Sequence, residues 1–211
     1  MSVSPSKENI LKKIRKALTQ STPLPFPQSE GNSSVYQPSR QELEVEFAEQ
    51  FTKLTGKFIF CLTWQELAVQ LNAVTAHNNW QHIYNQETEL SKILASNGFA
   101  PAAYDSVATC DAAVTSCESL IARTGSIVMS AAGPSGRSIS VYAPVHICIA
   151  RTNQLVYDVK DGIQLVKEKY GVNFPSLVTF ATGPSRTADI EKTLVVGVHG
   201  PKEVYVFLVD Q

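Results

Sequence analysis

The chain has no excess of charge and few cysteines, and both shortages exclude classes of function. Its 211 residues include 18 basic and 19 acidic side chains, which gives a net charge of -1. Proteins that bind nucleic acid or acidic membranes through their overall field need a basic surplus, so we expect neither activity. No C-x-x-C pair occurs among the four cysteines, which are Cys61, Cys110, Cys117 and Cys148. This spacing excludes a zinc knuckle or ferredoxin-type cluster built from neighbouring ligands, and predicts reduced core cysteines and no metal site.

Long apolar runs are also missing. No stretch of the chain reaches the roughly 18 consecutive apolar residues of a membrane-spanning helix. The first 18 residues are amphipathic and contain lysines, but they lack the continuous apolar core and small-residue cleavage site of a secretory signal. We therefore expect a cytoplasmic protein without a membrane span.

The length and the 44% hydrophobic content suit one α/β domain with an N-terminal appendage. Residues 6–18 predict a basic amphipathic helix, which either packs on its own domain or docks on a partner. Residues 19–40 are rich in proline, serine and glutamine and predict a linker or wrapping arm. The expected division is an appendage over residues 1–40 and an α/β domain over residues 41–211.

Hydrophobic periodicity predicts alternating helices and strands that give way to a strand-dense region. The predicted helices span residues 41–54, 63–77, 88–97 and 161–170, with a short helix at 116–122 capped by Ser116. The predicted strands span residues 57–61, 82–84, 112–115, 126–130, 145–150, 155–159, 177–180 and 204–209. Strands 112–115 and 126–130 would form a crossover pair around the short helix. The pattern indicates an α/β fold with a mixed sheet.

Residues 181–201, here called the polar loop, connect two apolar strands and contain the strongest candidate site. Gly183 lies in a Gly-Pro turn, and Ser185, Arg186 and Thr187 then offer two hydroxyls and a planar cation suited to a carboxylate or phosphate. The loop therefore predicts a site for a small anion. Two alternatives remain open: an ion pair between Arg186 and a nearby carboxylate, and a helix beginning near Thr187 that Ser185 or Thr187 caps.

Acids and a histidine in the same loop suggest roles in binding or proton transfer. Asp189 and Glu191 would point about 200° apart on a helix, which disfavours a paired-carboxylate site. Asp189 then either compensates a helix dipole or acts as a general base, a ligand-binding group or a metal ligand. His199 is the expected proton-transfer group, with a structural role as its alternative.

The other three histidines are expected to be structural. His146 lies in an apolar run and should be buried, neutral and hydrogen-bonded. His77 and His82 should lie at the surface.

A second glycine-rich loop, residues 133–138, carries Arg137 and Ser138 and would close over the polar loop to bind a phosphate or second carboxylate. It lacks the lysine and spacing of a nucleotide P-loop, and a mobile hairpin turn is the alternative. Thr124 and Gly125 should make a tight turn, with glycine at positive φ, and line the pocket secondarily. Glu118, on the predicted short helix, is a candidate acid facing the same side.

The polar loop resembles a marked stretch of the LUD domain family, and the segments 121–128 and 138–149, the latter with Pro144 and His146, resemble another. The resemblance covers residues 47–210. It implies a three-layer α/β fold with a mixed sheet, like that of the sugar-phosphate isomerase and CoA-transferase superfamily and of 5-formyltetrahydrofolate cyclo-ligase. It also implies a role in bacterial oxidation of L-lactate to pyruvate beside iron-sulfur partner proteins, which would hold the clusters. We therefore expect no cofactor on this chain.

Three functions are compatible with these observations. The first is a component of lactate oxidation that binds a small carboxylate or phosphorylated ligand, with its own catalysis left open. The second is a non-catalytic assembly or regulatory subunit whose polar loop docks the iron-sulfur partners. The third, by fold analogy alone, is an ATP-dependent ligase resembling 5-formyltetrahydrofolate cyclo-ligase, although the chain lacks the expected basic nucleotide loop.

Overall fold

A computed structural model of the protein describes residues 5–18, 39, 41–187 and 195–210. Helix α1 (Pro5–Leu18) forms as predicted and belongs to a separate N-terminal unit, and a compact unit begins at Ser39. The arm predicted for residues 19–40 lies outside the described residues except for Ser39. Every helix in the described part of the chain is too short or too polar to span a bilayer.

The compact unit has five helices and eleven strands among its described residues. The helices are α2 (Leu43–Lys53), α3 (Trp64–His77), α4 (Thr88–Ser96), α5 (Ile139–Tyr142) and α6 (Val159–Tyr170). The strands are β1 (Lys57–Cys61), β2 (Ile83–Tyr84), β3 (Ala112–Thr115), β4 (Ser119–Ile121), β5 (Ser126–Ser130), β6 (Val145–Arg151), β7 (Leu155–Val156), β8 (Val178–Ala181), β9 (Arg186–Thr187), β10 (Val195–Val196) and β11 (Glu203–Val209). The helices predicted at 41–54, 63–77, 88–97 and 161–170 are confirmed, with ends shifted by one or two residues.

A five-stranded parallel sheet forms the centre of the compact unit, in the order β1-β11-β6-β3-β2. On one face Ile147 and Phe207 pack against Leu67 and Leu71 of α3 and Leu94 of α4. The two central strands, β6 and β11, are almost continuously apolar because both of their faces are covered. The α/β class predicted from the sequence is confirmed.

A second, four-stranded sheet covers the other face of the parallel sheet. Its order is β7-β4-β5-β8, with β5 antiparallel to both of its neighbours and β7 parallel to β4, so the pairing is mixed. Leu120 and Ile127 from this sheet meet Val206 and Leu208 from β11, together with Phe47 of α2. On the outer face of the second sheet Val166 of α6 packs against Ile121 and Val128. The strand-dense region therefore divides between two stacked sheets.

Two secondary-structure predictions in this region are wrong. Residues 116–122 do not form a helix: Ser119–Ile121 is strand β4, and a 3₁₀ turn follows at Ala122–Thr124. All three residues of β4 are fully buried between layers, so strand pairing outweighs the local helix signal of Ser116. Because β3 and β5 lie in different sheets, they are not a crossover pair either.

Two other strand boundaries also differ from the prediction. The strand predicted at 155–159 ends at Val156, because Asp158 caps helix α6 from Val159 onward. The strand predicted as buried at 177–180 is β8, Val178–Ala181, and its residues are only half-buried. It lies at the edge of the second sheet, where one side of the strand pairs with no other strand among the described residues.

A buried carboxylate, Asp158, fixes α6 to the second sheet. Its Oδ2 accepts a hydrogen bond from Arg123 Nε at 2.7 Å, and its Oδ1 accepts one from the Lys160 amide at 3.3 Å. The Asp158 side chain is 1% exposed and that of Arg123 is 36% exposed. Burial raises the pKa of Asp158, but the bonds from Arg123 and the helix amides lower it by more than burial raises it. The net pKa of Asp158 is therefore below its usual value.

We expect Asp158→Ala to lower the free energy of unfolding by about 2 kcal/mol, because it removes a helix cap and the partner of Arg123. The pKa of Asp158 is lower in the folded than in the unfolded chain. Its stabilisation is therefore complete above the unfolded pKa and is lost as the pH falls through the folded pKa. Urea unfolding at several pH values measures both effects.

The matched control is Asp105→Ala, which removes an exposed carboxylate and should change stability by no more than about 0.5 kcal/mol. An Asp158→Ala protein as stable as the wild type near neutral pH would contradict the stabilising role of Asp158. A stability difference that stays constant into strong acid would contradict the role of the charge.

Candidate functional site

The described parts of the polar loop, residues 181–187 and 195–201, lie at the amino end of the parallel sheet, where β11 begins. Strands β9 and β10 pair antiparallel, the Ser185 amide donates to the Pro201 carbonyl at 2.9 Å, and the Gly197 amide donates to the Ser185 carbonyl at 3.0 Å. Thr187 itself belongs to β9, and residues 188–194, through which a helix beginning near Thr187 would run, lie outside the described residues, so this alternative stays a prediction. Asp189 and Glu191 lie outside the described residues, and their roles stay predictions.

Arg186 contacts the end of helix α2. Its Nη2 donates to the Leu54 carbonyl and, at 2.8 Å, to Thr55 Oγ1. A cation is favourable at this position because the last carbonyls of a helix carry partial negative charge. Gly183 lies against the same segment, and a Cβ there would come within 2.8 Å of the Leu54 oxygen. An anion at Arg186 would compete with this contact, and the ligand role of Arg186 stays a prediction.

The hydroxyls predicted in the polar loop have structural neighbours. Ser185 is half-buried and lies against Gly200, where a Cβ would come within 2.9 Å of the serine Cβ. Thr187 belongs to β9 through its backbone, and its side chain is outside the described residues. These structural contacts do not test whether Ser185 and Thr187 also bind a ligand.

The turn predicted at Thr124 and Gly125 is confirmed. Gly125 has a φ of 60°, and a Cβ there would lie 2.6 Å from the Phe51 nitrogen, so the backbone of α2 packs directly on the glycine. Thr124 Oγ1 is 2.8 Å from Ser126 Oγ, which is 2.8 Å from Thr182 Oγ1. This chain of three hydroxyls connects the turn to the start of the polar loop. The pocket-lining role of Thr124 and Gly125 stays a prediction.

We expect Gly125→Ala to destabilise the protein by about 2 to 4 kcal/mol, since it combines a left-handed backbone with overpacking against α2. Gly136→Ala is the matched control: Gly136 has a similar φ of 63°, but no atom of the described residues lies within 4 Å of the added Cβ. It should lose only about 1 to 2 kcal/mol, the cost of the left-handed conformation. Equal losses in thermal or urea unfolding would show that the close approach of α2 does not matter.

His199 and Lys202 line one hollow at the amino end of the sheet, here called the Lys202 hollow. It has a volume of about 370 Å³ and is completed by Val141, Tyr142, Pro144, Gly197, Val198 and Gly200. The Lys202 side chain passes through the space beside Gly197, where a Cβ would lie 2.2 Å from Lys202 Cγ. Among the described residues no carboxylate lies within 4 Å of the Lys202 ammonium.

The sequence singled out His199 but missed Lys202, although a lysine directly after Gly200-Pro201 was visible in the sequence. His199 is exposed at the surface of the hollow. Its predicted role in proton transfer stays a prediction.

The remaining histidines lie as predicted. His146 is fully buried, and its Nε2 is 2.8 Å from Thr115 Oγ1. Burial lowers the pKa of His146 to about 4, so the ring is neutral at physiological pH. His77 and His82 are exposed.

The second glycine loop covers a different place in the molecule. Ser135 donates to Glu87 Oε1, and the loop lies beyond the carboxyl ends of β2 and β3. Arg137 is exposed and donates to Ser176 Oγ, while the Ser138 carbonyl begins helix α5. The two loops thus lie at opposite ends of the parallel sheet, and the described residues do not form the shared pocket predicted for Arg137 and Arg186.

Glu118 is held on several sides. Its Oε1 accepts from Ser130 Oγ at 2.5 Å and Tyr170 OH at 2.7 Å, and its Oε2 accepts from Lys169 Nζ at 2.7 Å. Burial raises the pKa of Glu118, but these three partners together lower it by more than burial raises it, so its pKa lies below the usual value. Glu118 lies on the extended segment before β4, which corrects its predicted place on a helix.

Glu87 is a residue that the sequence did not single out. It is 5% exposed and accepts from the Ser116 amide at 2.8 Å as well as from Ser135. Its position directly before α4 is typical of an ordinary helix-start acid, so only the fold reveals its surroundings.

Comparisons with known proteins place the chain among relatives. The family model described as the LUD domain matches residues 44–209. The chain is 36% identical over 100 residues to Lactate utilization protein C of Deinococcus radiodurans, a match that covers 47% of this chain and 46% of that protein. It is 35% identical over 101 residues to the protein of the same name from Bacillus subtilis, with coverages of 46% and 42%. The matches therefore span less than half the length of these curated relatives.

A solved structure has a similar fold. The crystal structure of a DUF162 family protein from Deinococcus radiodurans superposes with a TM-score of 0.62, covering 82% of this chain and 99% of that chain. The two sequences are 21% identical, so the likeness supports the fold alone.

Proposed function

Because the chain belongs to the LUD domain family, we propose that it takes part in bacterial lactate utilisation. The curated relatives that support this role are named lactate utilization protein C and are 35–36% identical over their matched parts. In this proposal the chain is a cytoplasmic component of the oxidation of L-lactate to pyruvate. It binds a small carboxylate or phosphorylated ligand.

The binding proposal rests on the residues that line the Lys202 hollow. Lys202 and His199 both line this surface hollow of about 370 Å³, a volume within the range of small-molecule sites. An ammonium without a carboxylate partner among the described residues can donate charge-assisted hydrogen bonds to a ligand carboxylate. In this proposal His199 exchanges a proton with a ligand hydroxyl in the same hollow.

Oxidation of lactate to pyruvate releases two electrons and two protons, so the reaction needs an electron acceptor. Three of the four cysteines are buried in separate parts of the core: Cys61, Cys110 and Cys148. Their use in packing supports the proposal that iron-sulfur partner proteins, and not this chain, carry the electrons.

Calorimetric titration of the purified protein with L-lactate, pyruvate and phosphate tests the binding proposal. Lys202→Gln should weaken binding by about tenfold or more, because one charge-assisted hydrogen bond is lost. Lys167→Gln, which removes an exposed lysine of α6, should bind like the wild type. Absence of heat from all three ligands with folded wild-type protein, or unchanged affinity in Lys202→Gln, would contradict the proposal.

A second candidate function, a non-catalytic assembly subunit, is favoured by exposed apolar side chains beside the hollow. Val195, Val196 and Val198 are 43%, 44% and 55% exposed, and Tyr142 is 70% exposed. Grouped apolar side chains at a surface often mark a contact with another protein.

We expect the double substitution Val195→Thr and Val196→Thr to weaken co-purification with iron-sulfur partners of the lactate system if this surface docks them. The replacements keep the branched shape that suits a strand, so the hairpin should persist. Val172→Thr is the control, since Val172 is fully exposed on another part of the surface. Equal recovery of the partners with both variants would remove the valines from the interface.

A further inference from the structure

A small cleft at the opposite end of the parallel sheet contains an acid that the proposed function does not use. The cleft, here called the Glu87 cleft, has a volume of about 40 Å³ and is lined by Glu87, Ser116, Glu118, Ser135, Ser140 and Lys169. It lies beyond the carboxyl ends of β2 and β3, because Glu87 follows β2 by three residues and Ser116 directly follows β3. Ligands of α/β sheets bind at this end of the strands.

The charges in the Glu87 cleft do not balance. Lys169 pairs with Glu118 at 2.7 Å, and these two charges cancel. Glu87 is 5% exposed, and no cationic side chain among the described residues lies within 4 Å of its carboxylate. The lining therefore carries one uncompensated negative charge.

One oxygen of Glu87 also lacks a partner. The Ser116 amide and the Ser135 hydroxyl both donate to Oε1, whereas Oε2 accepts no hydrogen bond from the described part of the chain. The carboxylate makes no capping bond to helix α4, although Glu87 directly precedes that helix. Glu87 is only 5% exposed and no cationic side chain of the described residues neutralises it, so a small positive group at Oε2 would be favourable.

We propose that the Glu87 cleft binds a small monovalent cation, with Glu87 Oε2 as its charged ligand. The single uncompensated charge matches one positive charge, and a volume of about 40 Å³ admits a group the size of one or a few water molecules. Ser116 and Ser140 line the same space, and serine hydroxyls are neutral oxygen ligands suited to a hard cation. Potassium, sodium, ammonium and the head of a small primary amine share this chemistry.

The test compares the melting temperature in chloride salts at constant ionic strength. Potassium, sodium, ammonium and methylammonium are the binding arms, and tetramethylammonium, which is too large for the cleft, is the reference. At about 0.2 M at least one small cation should raise the wild-type Tm by about 2 °C or more over the reference. The arm with the largest rise tells a metal ion from an amine.

Glu87→Gln keeps the acceptor for Ser116 and Ser135 but removes the charge, so the cation-dependent rise should vanish. Glu89→Gln is the matched control, because Glu89 lies two residues away in the first turn of α4 and is 82% exposed, and it should respond like the wild type. The proposal is overturned if the wild type responds to no small cation or if Glu87→Gln keeps the full response.

Amide NMR shifts of the wild type give a second readout that does not depend on folding of a variant. Addition of the cation should move the amide resonances of Ser116, Gly133, Ser135 and Gly136, which line the cleft. Shifts confined to other parts of the protein would overturn the assignment even if the Tm rises.

Discussion

Burial of the parallel sheet on both faces is the constraint on which the rest of the structure depends. From Val204 to Val209 no residue of β11 is more than 4% exposed, so each face of this strand needs its own apolar cover. Helices α3 and α4 provide one cover, and the second sheet provides the other. The second sheet must lie flat on β6 and β11, and this requirement turns residues 119–121 into a strand and brings the following turn against α2. Both candidate sites are then formed by connections that leave these layers at the two ends of the sheet.

Much of the fold could be predicted because its signals are local. The periodicity of α3 and the apolar runs of β6 and β11 depend on residues that are neighbours in the chain. The helix predicted at 116–122 failed because its local cap signal competes with pairing to β5 and β7, which only the assembled layers supply. The pairing partners of a short buried segment are not encoded within the segment itself.

The candidate sites depend on long-range contacts, which a sequence read in order does not reveal. Arg186 contacts a carbonyl 132 residues earlier in the chain. The sequence therefore could not show that the end of α2 would compete with a ligand for the Arg186 side chain. Glu87 meets Ser116 and Ser135 across 29 and 48 residues, and nothing near Glu87 in the sequence indicates that it is buried. The residue types in the polar loop could be recognised, but their partners could not. Among the described residues, the two candidate sites differ in charge: the hollow at the amino end carries Lys202, and the cleft at the carboxyl end carries the unpaired acid Glu87.

The row of hydroxyls from Thr124 through Ser126 to Thr182 has a further physical consequence. In both of its bonds either oxygen can be the donor, so the hydrogens can all point toward the polar loop or all point away from it. The two arrangements have the same heavy-atom positions but opposite dipoles, and each bond favours the same direction in its neighbour. A change of charge in the polar loop can therefore reverse the dipole of the row without displacing any heavy atom. The reversal changes the electrostatic potential at Ser126, the first residue of β5.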